Sequence, residues 1–209
     1  IDLGVGSGSH AVQTAEIMRR FEPVLDELAP DFVLVVGDVN STIACALVAT
    51  KKDIAVVHVE AGLRSGDRRM PEEINRVLTD QISDLLFTTE PDGESNLLRE
   101  GVAAERIHFV GNVMIDTLLA NRDRAVPAET TLSEISGFAA DVSNFGVLTL
   151  HRPSNVDAPV VLQRLLETLA DLSERVPLVF PIHPRTRARM ADAGLNPLLE
   201  NSRIGLTEP

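Results

Sequence analysis

An α/β protein with parallel strands is predicted by three features of the 209-residue sequence. Short β-branched apolar runs alternate with longer helical patterns, the rhythm of strand–helix units. The strand runs are apolar almost throughout, as in a parallel sheet covered by helices on both faces. Polar residues gather just after the strands, at the carboxyl ends where open α/β sheets bind ligands.

The elements follow in order. Gly4-Val5-Gly6-Ser7-Gly8-Ser9 imitates a dinucleotide loop, but only Ile1-Asp2-Leu3 precedes it and no second strand ending in an acid follows. It reads as a flexible lead into a helix, His10 to Leu28. Phe32-Val33-Leu34-Val35-Val36 is a strand, and Ser41 to Lys51 a helix with Ser41 or Thr42 near its N-cap. Ile54 to Val59 is the next strand. The helix predicted from Pro71 to Leu85 places proline in its first turn and Glu72 and Glu73 beside its positive end. Leu86 to Thr89, a helix over Asp92 to Glu100 and the strand Ile107 to Val110 complete this series. A helix from Val113 to Asn121 comes next, then a stretch of low apolar periodicity, Arg122 to Asn144, containing Pro127. The second series is a strand from Gly146 to Leu150, a helix from Pro159 to Glu174 and a strand from Leu178 to Ile182. These breaks predict two domains, residues 1–111 and 112–209, the second incomplete.

Composition narrows the function. With 44% apolar and 24% charged residues the chain is an ordinary globular one, and no apolar run reaches the ~18 residues of a membrane span. The net charge of −12, with no basic stripe, argues against nucleic acid as a partner. Cys45 is the single cysteine and is expected to be a buried helix residue, so no internal disulfide exists. No metal-ligand pattern stands out. The chain opens in mid-pattern at Ile1, which reads as a missing natural start.

Four predicted strand ends carry chemistry. They run into Gly37-Asp38, Glu60-Ala61-Gly62, His151-Arg152 and His183-Pro184-Arg185. An acid after a strand is commonly an N-cap, but four polar ends with Asp, Glu, His-Arg and His-Pro-Arg are harder to dismiss together, because such a fold brings strand ends to one edge. Glu72 and Arg76 lie four apart on one helix and thus on one side; the plain reading is a surface ion pair. His58 reads as a packed strand histidine.

Val35-Val36-Gly37-Asp38, His58-Val59-Glu60-Ala61-Gly62-Leu63-Arg64 and Pro71-Glu72-Glu73-Ile74-Asn75-Arg76 resemble consecutive motifs of the non-hydrolysing UDP-N-acetylglucosamine 2-epimerases. Phe109-Val110-Gly111-Asn112 with Ile115-Asp116, Leu150-His151-Arg152 and Phe180-Pro181-Ile182-His183-Pro184 match in the same order, so the similarity spans nearly the whole chain. The resemblance implies two Rossmann-like domains in a GT-B-type arrangement with the active site in their cleft. It implies interconversion of UDP-GlcNAc and UDP-ManNAc by anti elimination of UDP to 2-acetamidoglucal and re-addition to the opposite face at C2. No redox cofactor is implied, because the C2 proton is removed and returned. By motif match Asp38, Glu60 and Glu72 are the catalytic carboxylates, without a decision on which takes the proton. His151 matches a UDP-contacting histidine, with Arg152 in the same turn. Arg76 is assigned to substrate binding, and His183 matches a histidine of a regulatory substrate site. A cytoplasmic homodimer serving cell-surface polysaccharide synthesis is the implied setting.

The chain departs from the family pattern in two ways. Pro153 and Ser154 stand where the family carries Arg and Glu, which argues against regulatory binding there. The family's opening Gly-x-Arg-Pro-Glu phosphate loop and its late ribose-gripping segment are absent from these 209 residues, so the segment alone is expected to be inactive. The competing readings are a hydrolysing relative releasing ManNAc, a GT-B glycosyltransferase and a non-catalytic nucleotide-sugar binding module. Free ManNAc as product marks the first. The second would leave Glu60 and Glu72 without a paired role. UDP binding without proton exchange at C2 marks the third.

Overall fold

In the computed structural model, which describes residues 1–135 and 144–209, helices alternate with parallel strands in both units of the chain, Ile1–Asp123 and Arg124–Pro209. The fold is of the α/β class. Part of the expected low-periodicity stretch, residues 136–143, lies outside the described residues.

The first unit runs α1 (His10–Leu28), β1 (Phe32–Val36), α2 (Asn40–Lys51), β2 (Ala55–Ala61), α3 (Pro71–Ile82), β3 (Leu85–Thr88), α4 (Pro91–Arg99), β4 (Ile107–Phe109) and α5 (Val113–Asn121). Its sheet has the order β1-β2-β3-β4, all parallel. Ser9 caps α1 by accepting from the Val12 amide, and Arg20 on α1 donates to the carbonyls of Leu3 and Gly4. The Gly-rich lead is therefore tied to the helix. Leu25 of α1, Ala46, Val48 and Ala49 of α2, and Val35 and Val56 of the sheet form one buried cluster. The small alanines let α2 lie close against its neighbours.

Several expected features shift, each for a local reason. The N-cap of α2 is Val39 rather than Ser41 or Thr42, with no side-chain cap. The Thr42 hydroxyl instead donates to the Val36 carbonyl at 2.9 Å, joining strand end to helix. Helix α3 stops at Ile82, short of Leu85, because Asp84 exchanges two 2.8 Å bonds with the Val56 backbone and starts β3. The cover on both sheet faces does not extend to β1 among the described residues: Phe32, Leu34 and Val36 are 59%, 52% and 48% exposed. Cys45 is half-buried rather than buried, and burial pushes its thiol up to about 11, which disfavours a nucleophile. Helix α5 groups with the first unit, twelve residues past the expected boundary at Gly111. Asn112, which caps α5 by accepting from Met114, also donates to Glu90.

The second unit runs α6 (Ala128–Glu134), β5 (Gly146–Val147), α7 (Pro153–Val156), α8 (Pro159–Ser173), β6 (Leu178–Pro181), α9 (Pro184–Asp192), α10 (Asn196–Glu200) and β7 (Ile204–Thr207), with the parallel order β5-β6-β7. Strand β5 is shorter than the expected Gly146 to Leu150, although the Leu148 amide still donates to the Val179 carbonyl. Strand β7 was not anticipated. Phe180, Leu162 and Leu166 are fully buried at the centre of an eleven-residue cluster. Each such side chain contributes about 1.5–3 kcal/mol on burial, so this cluster holds the unit together.

Candidate active site

The register of the first sheet builds the candidate site. Val35 pairs with His58 and Val36 with Val59, so the ends of β1 and β2 emerge side by side. The Gly37 amide donates to the Val59 carbonyl at 3.0 Å, and Gly37 takes a positive φ of 71°, which glycine adopts without strain. The chain turns there into Asp38 and α2. On β2 the register shifts between Val59 and Ala61, and the intervening Glu60 has φ 70°. A non-glycine residue in this region costs about 1 kcal/mol or more and persists only where its surroundings fix it. The Glu60 carboxylate lies over Gly37, its Oε2 3.5 Å from where a Gly37 Cβ would sit.

Helix α3 brings the cations and a second group of acids. Arg76 donates from Nε and Nη2 to Asp38 Oδ2, at 2.9 and 2.7 Å, and from Nη1 to Glu73 Oε2 at 2.9 Å. Asn75 donates to the Asp38 carbonyl at 2.8 Å. The expected Glu72–Arg76 pair does not form, because Arg76 reaches Asp38 and Glu73 instead. Glu72 is half-buried in the first turn of α3, and neither its carboxylate nor that of Glu60 has a hydrogen-bond or ion-pair partner among the described residues. Glu73 is the structural acid. It is buried and accepts from the Ser65 amide and hydroxyl, the Gly66 amide and Arg76. Burial alone would raise its pKa, but these bonds outweigh it and hold the carboxyl at about 2.

Beneath lies a buried polar chain that the sequence reading missed. His58 is 1% exposed and Asp80 fully buried. His58 Nδ1 meets Asp80 Oδ1 at 2.7 Å, and its Nε2 meets the Gly37 carbonyl at 2.9 Å. Asp80 Oδ2 also accepts from the Gly62 amide at 3.1 Å and from Arg64 at 2.7 Å, and Arg64 forks onto Glu100. Burial works against the Arg64 charge, but Glu100 and Asp80 outweigh it and hold the guanidinium more firmly protonated than usual. His58 is thus a packed histidine, as expected, with both ring nitrogens engaged. One signal for Asp80 was present: it lies seven residues after Glu73, two turns along the same face. Gly62 shows why β2 ends as it does, for a Cβ there would stand 2.4 Å from the Gly93 carbonyl oxygen in the first turn of α4.

An open cleft of about 750 Å³ lies beyond β3, lined by Leu63, Arg64, Glu90, Asn96 and Arg99 among others. It borders Arg64 but contains none of Asp38, Glu60 or Glu72.

In the second unit His151 and His183 follow strand ends, their rings 5.8 Å apart and tilted by 35°. Both are exposed, as is Arg152 at the start of α7. His183 caps α9, accepting from the Arg185 amide. Asp157 collects Arg185 and Arg189, and the Arg185 hydrogen bond foremost lowers its pKa. Among the described residues no group of three or more His, Cys, Asp or Glu side chains is arranged to hold a metal ion, and no helix is long and apolar enough to cross a membrane.

The family model for UDP-N-acetylglucosamine 2-epimerase matches residues 1–209. The chain belongs to the UDP-N-acetylglucosamine 2-epimerase family. It is 43% identical to the UDP-N-acetylglucosamine 2-epimerase of Methanococcus maripaludis, over its whole length but only 57% of that relative's. It is 42% identical to the UDP-2,3-diacetamido-2,3-dideoxy-D-glucuronate 2-epimerase of Pseudomonas aeruginosa, over 92% of the chain and 53% of the relative. The crystal structure of the Methanocaldococcus jannaschii UDP-GlcNAc 2-epimerase, in complex with UDP-GlcNAc and UDP, superposes with a TM-score of 0.81 at 42% identity. That match covers 99% of this chain and 57% of the other. The chain thus spans about half the length of the relatives it matches.

Proposed function

We propose that the full-length protein interconverts UDP-GlcNAc and UDP-ManNAc by the non-hydrolysing route. The observation that carries this is the different state of the three expected carboxylates. Asp38 is clamped by Arg76, whereas Glu60 and Glu72 keep carboxylates with no protein partner among the described residues. A proton-transferring carboxylate must be free to meet substrate, and a pair of them suits removal from one face of C2 and return to the other. Glu60 and Glu72 take this role, and Asp38 with Arg76 orients the sugar. The base takes the C2 proton as the C1–O bond to UDP breaks, leaving 2-acetamidoglucal and UDP. Re-addition of UDP at C1 with protonation of C2 from the other face closes the cycle, with no net oxidation. His151 and Arg152 supply donors to UDP, whose departure needs charge stabilisation.

Incubation of full-length protein with UDP-GlcNAc followed by chromatography tests this route. UDP-ManNAc is the expected product, and free ManNAc with equimolar UDP would establish the hydrolysing reaction instead. A second substrate reading is favoured by the similarity to the Pseudomonas aeruginosa relative, since the same proton transfer at C2 serves a diacetamido uronate. Parallel assays with both UDP-sugars decide by kcat/KM.

A further inference from the structure

The buried chain under the carboxylates has a consequence for them. His58 bridges two strand ends: its Nε2 holds the Gly37 carbonyl, and its Nδ1 holds Asp80, which in turn holds the Gly62 amide. Glu60 lies between His58 and Gly62 in its strained backbone, and Asp38 follows Gly37 directly. Both ring nitrogens are engaged at once, and the Asp80 carboxylate that meets Nδ1 is shared with Arg64. The Glu60 carboxylate lies over Gly37, the residue whose carbonyl His58 fixes.

We propose that His58, anchored by Asp80, is a positioning residue that fixes the Gly37 carbonyl and thereby the placement of the Asp38 and Glu60 carboxylates. The role rests on the proposed reading of those carboxylates as reaction-site groups. Neither His58 nor Asp80 is exposed enough to meet substrate, so they act through the backbone they hold. A displacement of about 1 Å in a reacting group can cost on the order of a hundredfold in rate, which is the scale at stake.

Two substitutions of similar size separate the bond from packing. In His58→Gln the side-chain amide reaches where Nε2 stood and keeps a donor for Gly37 while giving up Asp80. In His58→Asn the amide mimics Nδ1, keeps Asp80 and gives up Gly37. Hydrogen–deuterium exchange of the peptide spanning Gly37–Asn40 in full-length protein reads the hold on the loop without any need for activity. Exchange at least about tenfold faster in His58→Asn than in His58→Gln is expected, and equal protection in the two overturns the proposal. With the loop loosened, kcat of His58→Asn is expected to fall on the order of a hundredfold with KM within about threefold of wild type. A kcat for His58→Asn equal to that of His58→Gln would also overturn it. If His58→Asn does not fold, His58→Gln is compared with wild type by the same exchange measurement. Because it keeps the donor to Gly37, protection of the Gly37–Asn40 peptide within about threefold of wild type is expected, and exchange about tenfold faster or more overturns the proposal. Wild-type protein without turnover would refute the proposed function instead, while the exchange result still decides whether His58 positions the loop.

Discussion

Removing the charge of Glu73 is the perturbation whose effect the structure specifies most fully. Its buried carboxylate accepts from the Ser65 amide at 2.9 Å, the Ser65 hydroxyl at 3.0 Å, the Gly66 amide at 3.0 Å and Arg76 at 2.9 Å. Glu73→Gln keeps one weaker acceptor and turns its NH2 group either toward the Gly66 amide, at the Oε1 position, or toward the Ser65 amide and Arg76, at the Oε2 position, all of which are donors. The magnitude follows from proton linkage. A pKa lowered from 4.5 to about 2 in the folded state corresponds to about 3 kcal/mol, at ~1.4 kcal/mol per pH unit. The sign is that of a depressed carboxylate: the stabilisation is fully present above about 4.5 and is lost as pH falls toward about 2. Glu73→Gln should therefore cost about 2–3 kcal/mol at pH 7, and the gap to wild type should shrink steadily below pH 4.5. Urea unfolding of full-length wild type and variant at pH 7 and at pH 3 measures both quantities. A gap that is under about 0.5 kcal/mol at neutral pH, or that does not change with pH, would refute the reasoning.

Three further substitutions follow from separate observations. Gly62→Ala would drive a Cβ to 2.4 Å from the Gly93 carbonyl oxygen at a positive φ, so a loss of about 3 kcal/mol or more is expected in urea unfolding, and wild-type stability would contradict that close approach. Phe180→Ala empties the centre of the second unit's core and should cost about 3–5 kcal/mol; a loss under about 1 kcal/mol would mean that the cavity collapses. His151→Ala should weaken UDP binding by about 1.5–3 kcal/mol in calorimetry without lowering stability, since the residue is exposed, and unchanged affinity would return it to a surface role.

The elements were legible where the pattern is local. The runs Phe32–Val36 and Leu178–Pro181 are apolar throughout and became β1 and β6. The turn into α3 was marked by Pro71 followed by two acids. Strand β7 was not legible, because Ile204-Gly205-Leu206-Thr207 has a glycine in its middle and, among the described residues, pairs with β6 alone, more than twenty residues earlier. Of the site, Asp38, Glu60, Glu72 and Arg76 were all singled out, but their bonding was not. Helical spacing favoured Glu72 for Arg76, and the geometry gave Asp38 and Glu73 instead, because a long guanidinium side chain reaches across to the end of β1. Asp80 stayed hidden for a related reason: its partners His58, Gly62 and Arg64 lie 16 to 22 residues away. Only folding brings them to one buried carboxylate.

The central claim is that carboxylates at the strand ends of the first unit carry the C2 proton of a UDP-sugar between its two faces. The most direct measurement is turnover of UDP-GlcNAc by full-length protein in deuterated water, with the position of the label read by NMR. The expected result is UDP-ManNAc carrying deuterium at C2, with incorporation abolished in Glu60→Gln and in Glu72→Gln while both variants still bind UDP. Product formed without deuterium at C2, or incorporation that survives both substitutions, would contradict the account.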